Sequence, residues 1–225
     1  MHPIHHSSKR QQGSVLVVIL IMLGIFAAVL VSALKSNPQI ERDKVSANTL
    51  AQAKDALLGY AATYRDSHPS AGPNYDQVFG YLPLPDMGPV NNLEGEAASS
   101  VTGSLTDYSL IGKLPWKTLR LSVLRDSGGE CLWYAVSGRY KNNPMTAVLN
   151  WDTPGQFDIT AEDGTTVTLP NAVAIIFSPG AVLPGQNRSP LASGVTNCGG
   201  NYDAQNYLDT YSNANAINNI LNYFT

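Results

Sequence analysis

The chain has 225 residues, a formal net charge of −3 and only 14% charged residues. The mild acidity, with no Lys/Arg cluster or stripe, argues against a nucleic-acid partner, and the length leaves room for one apolar helix plus one globular domain of roughly 150 residues. Asn, Ser, Thr, Gly and Tyr supply the polar surface in place of charge, which is the composition of an exported protein rather than a cytosolic enzyme.

Residues 1–13 read MHPIHHSSKRQQG, with Lys9 and Arg10 ahead of an apolar run. Residues 14–34, SVLVVILIMLGIFAAVLVSAL, hold no charge and no proline, and their only polar side chains are Ser14 and Ser32. At ~1.5 Å rise per residue a helix of this length just crosses a ~30 Å hydrocarbon layer, so the run predicts a transmembrane helix. Three readings compete for the leader. A cleaved secretory signal has a shorter apolar core ending in a small-x-small site, and Ser32-Ala33-Leu34-Lys35 fits that poorly. An uncleaved signal anchor is the second. The third is a leader cut after Gly13, with the apolar helix kept from Ser14 onward. Lys9 and Arg10 on one side face Lys35, Arg42 and Lys44 on the other, so flanking charge does not set the orientation.

Residues 35–68 resume a helical pattern. Pro38 is expected to kink the path because it removes a backbone donor and crowds the preceding turn. Leu50, Ala53, Leu57, Tyr60, Ala61 and Tyr64 fall on one face of a 3.6-residue period, with Arg42, Lys54, Asp55 and Arg65 largely off it. That face predicts the core contact of the following domain, and Pro69 predicts the helix end.

Residues 67–110 are punctuated by Pro and Gly and read as loop, with 80–86 (GYLPLPD) held extended by its prolines. Residues 131–137 (CLWYAVS) read as a strand, and 146–151 as a further candidate. Residues 156–160 and 165–169 flank Asp163-Gly164, the best hairpin signal in the chain. The continuous apolar run 172–177 predicts the central buried strand, stopped by Pro179-Gly180. Residues 180–201 read as loop. Residues 203–224 predict one or two short helices, with Asp203 as N-cap and Ile217, Leu221 and Phe224 on one face.

Catalytic and cofactor signatures are missing from the sequence: no GxSxG, HExxH, phosphate loop or dinucleotide fingerprint occurs. Three of the four histidines, His2, His5 and His6, lie in the leader, and His68 stands at a helix end. Asp86, Asp126 and Asp163 sit beside Gly or Pro, where turn chemistry accounts for them. Asp86 with Glu94 and Glu96, or Asp203 with Asp209, supply oxygen donors for calcium but without recognisable spacing, so no metal site is assigned. Trp116, Trp133 and Trp151 with eleven tyrosines offer a glycan- or protein-binding surface, against which Trp133 falls in a strand and Trp116 follows a rigid Leu-Pro that predicts packing. Cys131 and Cys198 have no CxxC partner or nearby His. In an oxidising compartment one disulfide is the simplest reading, and two buried thiols the alternative.

The run Lys9-Arg10-Gln11-Gln12-Gly13, followed by Ser14-Val15-Leu16-Val17-Val18-Ile19, resembles the N-terminus of type IV pilins and type II secretion pseudopilins. The resemblance implies that a prepilin peptidase cuts between Gly13 and Ser14 and methylates Ser14. Val18 stands where the major subunits carry a glutamate, a departure shared by minor pilins and pseudopilins at or near a fibre tip. A lone buried carboxylate is costly unless a neighbouring subunit's amine pairs it, so a subunit with none ahead of it can do without. The segments QAK-x-AL-x-GYAATY, G-x-LP-x-PD, LPWKTL, LRD-x-x-G-x-x-LWYAVS and AVAIIFSPG resemble a poorly characterised group of bacterial prepilin-like proteins. Within it the LP-x-PD stretch often holds a cysteine where this chain has Leu84, so no disulfide is carried over to that position.

These readings predict an α+β, pilin-like fold, with a long N-terminal helix packed on an antiparallel β-sheet. Its parts are a leader (1–13), a transmembrane helix (14–34), an amphipathic second half of the same helix (35–68), and a β-rich periplasmic or extracellular domain with a C-terminal helical segment (69–225). The implied role is a non-enzymatic structural or assembly subunit, a minor pilin or pseudopilin, anchored once in the bacterial inner membrane and displayed on a pilus or cell surface after assembly. Its implied partners are the inner membrane, the prepilin peptidase and other subunits met through the N-terminal helix. The alternatives are a signal-anchored periplasmic binding domain or enzyme, and a tip adhesin. No cofactor is implied.

Overall fold

The computed structural model describes residues 12–33, 38–68, 79–88, 93–99, 108–145, 148–161, 165–190 and 197–208; on the first helix the described side chains are those of residues 16–27 and 29. The chain divides into two units, Met1–Glu41 and Arg42–Thr225.

The first unit is built on α1, Gln12–Ala33. The large apolar side chains among residues 16–26, and Val29, are 52 to 69% exposed. They form an apolar surface on every side of the helix rather than a stripe. The second helix, α2, Pro38–Ser67, is broken by Glu41, Arg42, Asp43, Lys44, Lys54, Asp55, Arg65 and Asp66. Among the described residues no helix is long and apolar enough to cross a membrane. This corrects the expected transmembrane segment 14–34, and with it the single-pass inner-membrane and periplasmic placement.

The expected long helix packed on a sheet is corrected as well. Two helices are described in place of one long one, and Pro38, expected to kink it, stands as the first residue of the second. A proline suits the first turn of a helix, where its missing N–H has no partner to lose and its φ is already helical. Among the described residues the sheets are small: three antiparallel strands and a two-stranded hairpin.

In the second unit α2 turns its 53/57/64 face inward. Ala53, Leu57 and Tyr64 are buried, and Leu50, Tyr60 and Ala61 pack beside them. Against this face lies the three-stranded sheet, β1 (Leu110–Lys113), β2 (Trp133–Val136) and β5 (Ala174–Phe177), in the order β1-β2-β5. All four residues of β2 have zero exposure. Side chains alternate across a strand, so Tyr134 and Val136 join Ala53, Leu57, Leu82 and Leu84 on the α2 side. Trp133 meets Ala204, Tyr207 and Leu208 on the other side, and Ala135 meets Phe157. A strand covered on both faces reads as a continuous apolar run, which is what residues 131–136 show. The run at 172–177 was expected to be the central strand. It instead yields β5, which is partly exposed because, among the described residues, it sits at the sheet edge and pairs with β2 alone.

The hairpin joins β3 (Phe157–Thr160) to β4 (Val167–Ala172), with Ala161 N–H donating to the Thr166 carbonyl at 2.7 Å. The Asp163-Gly164 turn lies outside the described residues. The expected strand at 146–151 does not form over 148–151, where a turn begins instead; 146 and 147 lie outside the described residues, as do Pro69 and the C-terminal segment from 209.

The proline-bound segment 82–86 acts as an irregular extra strand. Asp86 N–H donates to the Lys113 carbonyl at 2.9 Å, and Lys113 N–H donates back to the Asp86 carbonyl at 3.0 Å. Gly112 makes the close approach possible: a Cβ there would lie 2.6 Å from the Asp86 carbonyl oxygen and 2.9 Å from Pro85 Cβ. Gly112→Ala is therefore expected to lower the unfolding free energy by about 1–3 kcal/mol in urea titration; unchanged stability would mean that segment 82–86 is not seated on β1.

Candidate functional site

The most concentrated polar chemistry in the second unit lies where segment 82–88 meets residues 197–202. Pro83 and Pro85 are buried and hold the chain extended, so Asp86 is delivered into the interior with no exposure. One carboxylate oxygen accepts from Gly88 N–H at 3.0 Å; the other accepts from Gly95 N–H at 2.7 Å and from the Tyr202 hydroxyl at 3.2 Å. Lys113, at the end of β1 and also buried, donates from Nζ to the Gly199 carbonyl at 2.9 Å and lies 4.3 Å from the centre of the Tyr202 ring. Glu94 accepts from Asn197 N–H and Nδ2, each at 3.0 Å, and from Cys198 N–H. Cys198 is joined to Cys131 by a disulfide with Cα atoms 5.4 Å apart.

Burial dominates the ionisation of this cluster. It raises the Asp86 carboxyl above its ordinary value, outweighing the N–H donors and the Lys113 charge. It lowers the Lys113 ammonium despite the carboxylates of Asp86 and Glu94. Glu94 is the reverse case. Partial burial pushes it up, but the donors from Cys198 and Asn197 together prevail and hold it below its ordinary value. Tyr202 is pushed well up by burial and by the neighbouring Asp86 and Glu94 charges.

The chemistry available here is cohesion. Both Asp86 oxygens already receive N–H or O–H donors, and an ammonium shares the pocket, which is the opposite of a vacant oxygen cage for a cation. Among the described residues no group of three or more His, Cys, Asp or Glu is placed to hold a metal ion. Asp203 accepts from Gln205 N–H at 3.1 Å and caps a 3₁₀ turn, Ala204–Asn206; Asp209 and Asp163 lie outside the described residues. Asp126 ties a turn to the end of β5. It accepts from Gly128 and Glu130 N–H, from the Ser178 hydroxyl at 2.6 Å and from Gly180 N–H at 3.0 Å. His68 stacks on Tyr64 with ring centres 4.3 Å apart, at the end of α2.

The tryptophans separate. Trp133 is in the core; Trp116 packs against Gly95, which takes a positive φ of 82° beside the ring, and Trp151 is 96% exposed. Gly13 and Ser14 fall in the first turn of α1, and their side chains lie outside the described ones.

Sequence reasoning passed over Lys113 and Arg188. Arg188 donates to the carbonyls of Asn206 at 2.7 Å and Gly180 at 2.8 Å, approaches Glu130 at 3.4 Å, and lies 4.7 Å from the Tyr207 ring centre. The only hint was an arginine alone in a loop of small and polar residues; local rules do not show that this loop folds back onto Gly180 and Asn206.

Two outcomes follow. Replacing Cys131 and Cys198 together by serine opens a loop of 67 residues and is expected to cost about 4 kcal/mol in the chain-entropy model, read from denaturant midpoints; a loss near zero would show that the C-terminal loop is held without the bridge. Asp86 binds its proton more tightly folded than unfolded, so its contribution is complete below the ordinary value of 3.8 and fades as pH rises through the raised folded value. The stability of the wild type relative to Asp86→Asn is therefore expected to fall between acid pH and neutrality in urea titrations at stepped pH; a difference that grows with pH would contradict this.

No family model matches the chain, and neither a curated protein nor a solved structure matches it. The pilin-family terms implied by the resemblance of residues 9–19 (pilus, pseudopilin, leader cleavage and methylation) are corrected to that extent, because no relative supports them.

Proposed function

We propose that this chain is a structural, assembly-type subunit that joins other subunits through α1. The supporting observation is the exposure of that helix: every described large apolar side chain from Leu16 to Val29 is more than half exposed. A monomer's largest apolar patch is ordinarily about 300–600 Å². A helix apolar all round is stable only when surrounded, so its partner is more than one flat surface. Packing among several like helices meets that need. Gly24 adds a notch, since a Cβ there would have no heavy atom within 4 Å, and a second backbone can approach closely at such a residue.

The resemblance of residues 9–19 gives the kind of assembly, a filament, and Val18 in place of an acid suits a subunit with none ahead of it. The absence of a catalytic constellation in the sequence favours this reading over an enzyme.

In sedimentation velocity the full chain is expected to run as an oligomer, and Leu23→Asp to shift it to monomer with an unchanged near-ultraviolet circular dichroism spectrum. A monomeric wild type, or an oligomer indifferent to Leu23→Asp, would overturn the proposal.

A further inference from the structure

The second unit carries an apolar groove that none of the foregoing uses. It has a volume of about 520 Å³ and lies between α2 and the edge of the β4–β5 segment. Leu50, Leu57 and Leu58 form one wall, and Leu169, Ala174 and Ile176 line the other side. The volume is that of a small-ligand site, which runs ~300–1,000 Å³ and combines apolar walls with few polar groups.

Lys54 is the charged residue of the lining. It stands four residues after Leu50 and three and four before Leu57 and Leu58, so it neighbours them at the exposed border of the inner face. It is exposed, and no ion pair forms with it among the described residues. An apolar groove whose described lining carries one cation without an ion-pair partner among the described residues is complementary to an amphipathic anion. The stem of a lysine can lie along apolar surface while its ammonium stays at the rim.

We propose that this groove binds the alkyl chain of a free single-chain carboxylate, with the Lys54 ammonium pairing the carboxylate. Leu57 and Ile176 meet the chain, and Leu58 and Leu169 flank it where the groove opens. The site is independent of assembly through α1, because no lining residue belongs to that helix.

The test is calorimetric titration of the full chain with octanoate, nonanoate and decanoate below their micelle-forming concentrations. One site per chain is expected, with affinity rising about four-fold per added methylene. Lys54→Gln is expected to weaken decanoate about two- to five-fold and to leave 1-decanol unchanged. Leu58→Glu, at an exposed rim position, is expected to abolish decanoate binding with the near-ultraviolet spectrum intact. Three results would overturn the proposal: no saturable binding of any chain length, decanoate binding that survives Leu58→Glu and so lies elsewhere, or equal losses of decanoate and decanol in Lys54→Gln. A loss of oligomers in Leu23→Asp bears on α1 alone and leaves this result readable.

Discussion

The burial of strand β2 on both faces is the constraint from which the second unit follows. Trp133, Tyr134, Ala135 and Val136 have no exposure, and a strand in that state needs a layer above and a layer below. Helix α2 supplies one through Ala53 and Leu57. Residues 204–208 supply the other over Trp133, with Phe157 beside Ala135. The second layer has little regular structure of its own, so its position depends on cross-links. The Cys131–Cys198 bridge starts one residue before Leu132 and holds the returning loop. Glu94 binds the backbone of residues 197 and 198, and Lys113 binds that of Gly199.

Buried charge on this scale is costly unless satisfied, and the structure satisfies it with backbone rather than with opposite charges in contact. Asp86 faces amide groups and a hydroxyl, and Lys113 faces a carbonyl and an aromatic ring. That pattern fixes loops that have no sheet to join. It also explains why an aspartate flanked by prolines and glycine, a turn residue by local rules, ends in the interior: besides Gly88 in its own turn, two donors, Gly95 and Tyr202, arrive from outside it.

Local periodicity made α2 legible. The spacing of Leu50, Ala53, Leu57, Tyr60, Ala61 and Tyr64 marks its inner face, and the run 131–137 marks the most buried strand. The two cysteines left pairing or two free thiols open, and the structure pairs them. Three features were illegible for physical reasons. Whether Pro38 kinks a helix or starts one depends on residues before it, and local rules allow both. The run 172–177 is as apolar as a central strand, yet edge or centre is decided by pairing, which sequence does not encode locally. Lys113 looks like a surface cation because the carbonyl that receives it, that of Gly199, lies far along the chain, and Arg188 because local rules do not show its loop folding back onto Gly180 and Asn206. The apolar run 14–34 pointed to a membrane crossing. Among the described residues no helix meets that requirement, and the apolar side chains of α1 are exposed, the surface on which the proposed assembly rests.

The account stands on α1 being covered by other subunits. The most direct measurement places a photoreactive amino acid at Ile21 in the full chain and identifies what it captures on irradiation. The account predicts adducts that join α1 to the corresponding helix of another subunit. Adducts confined within single chains, or none at all, would contradict it.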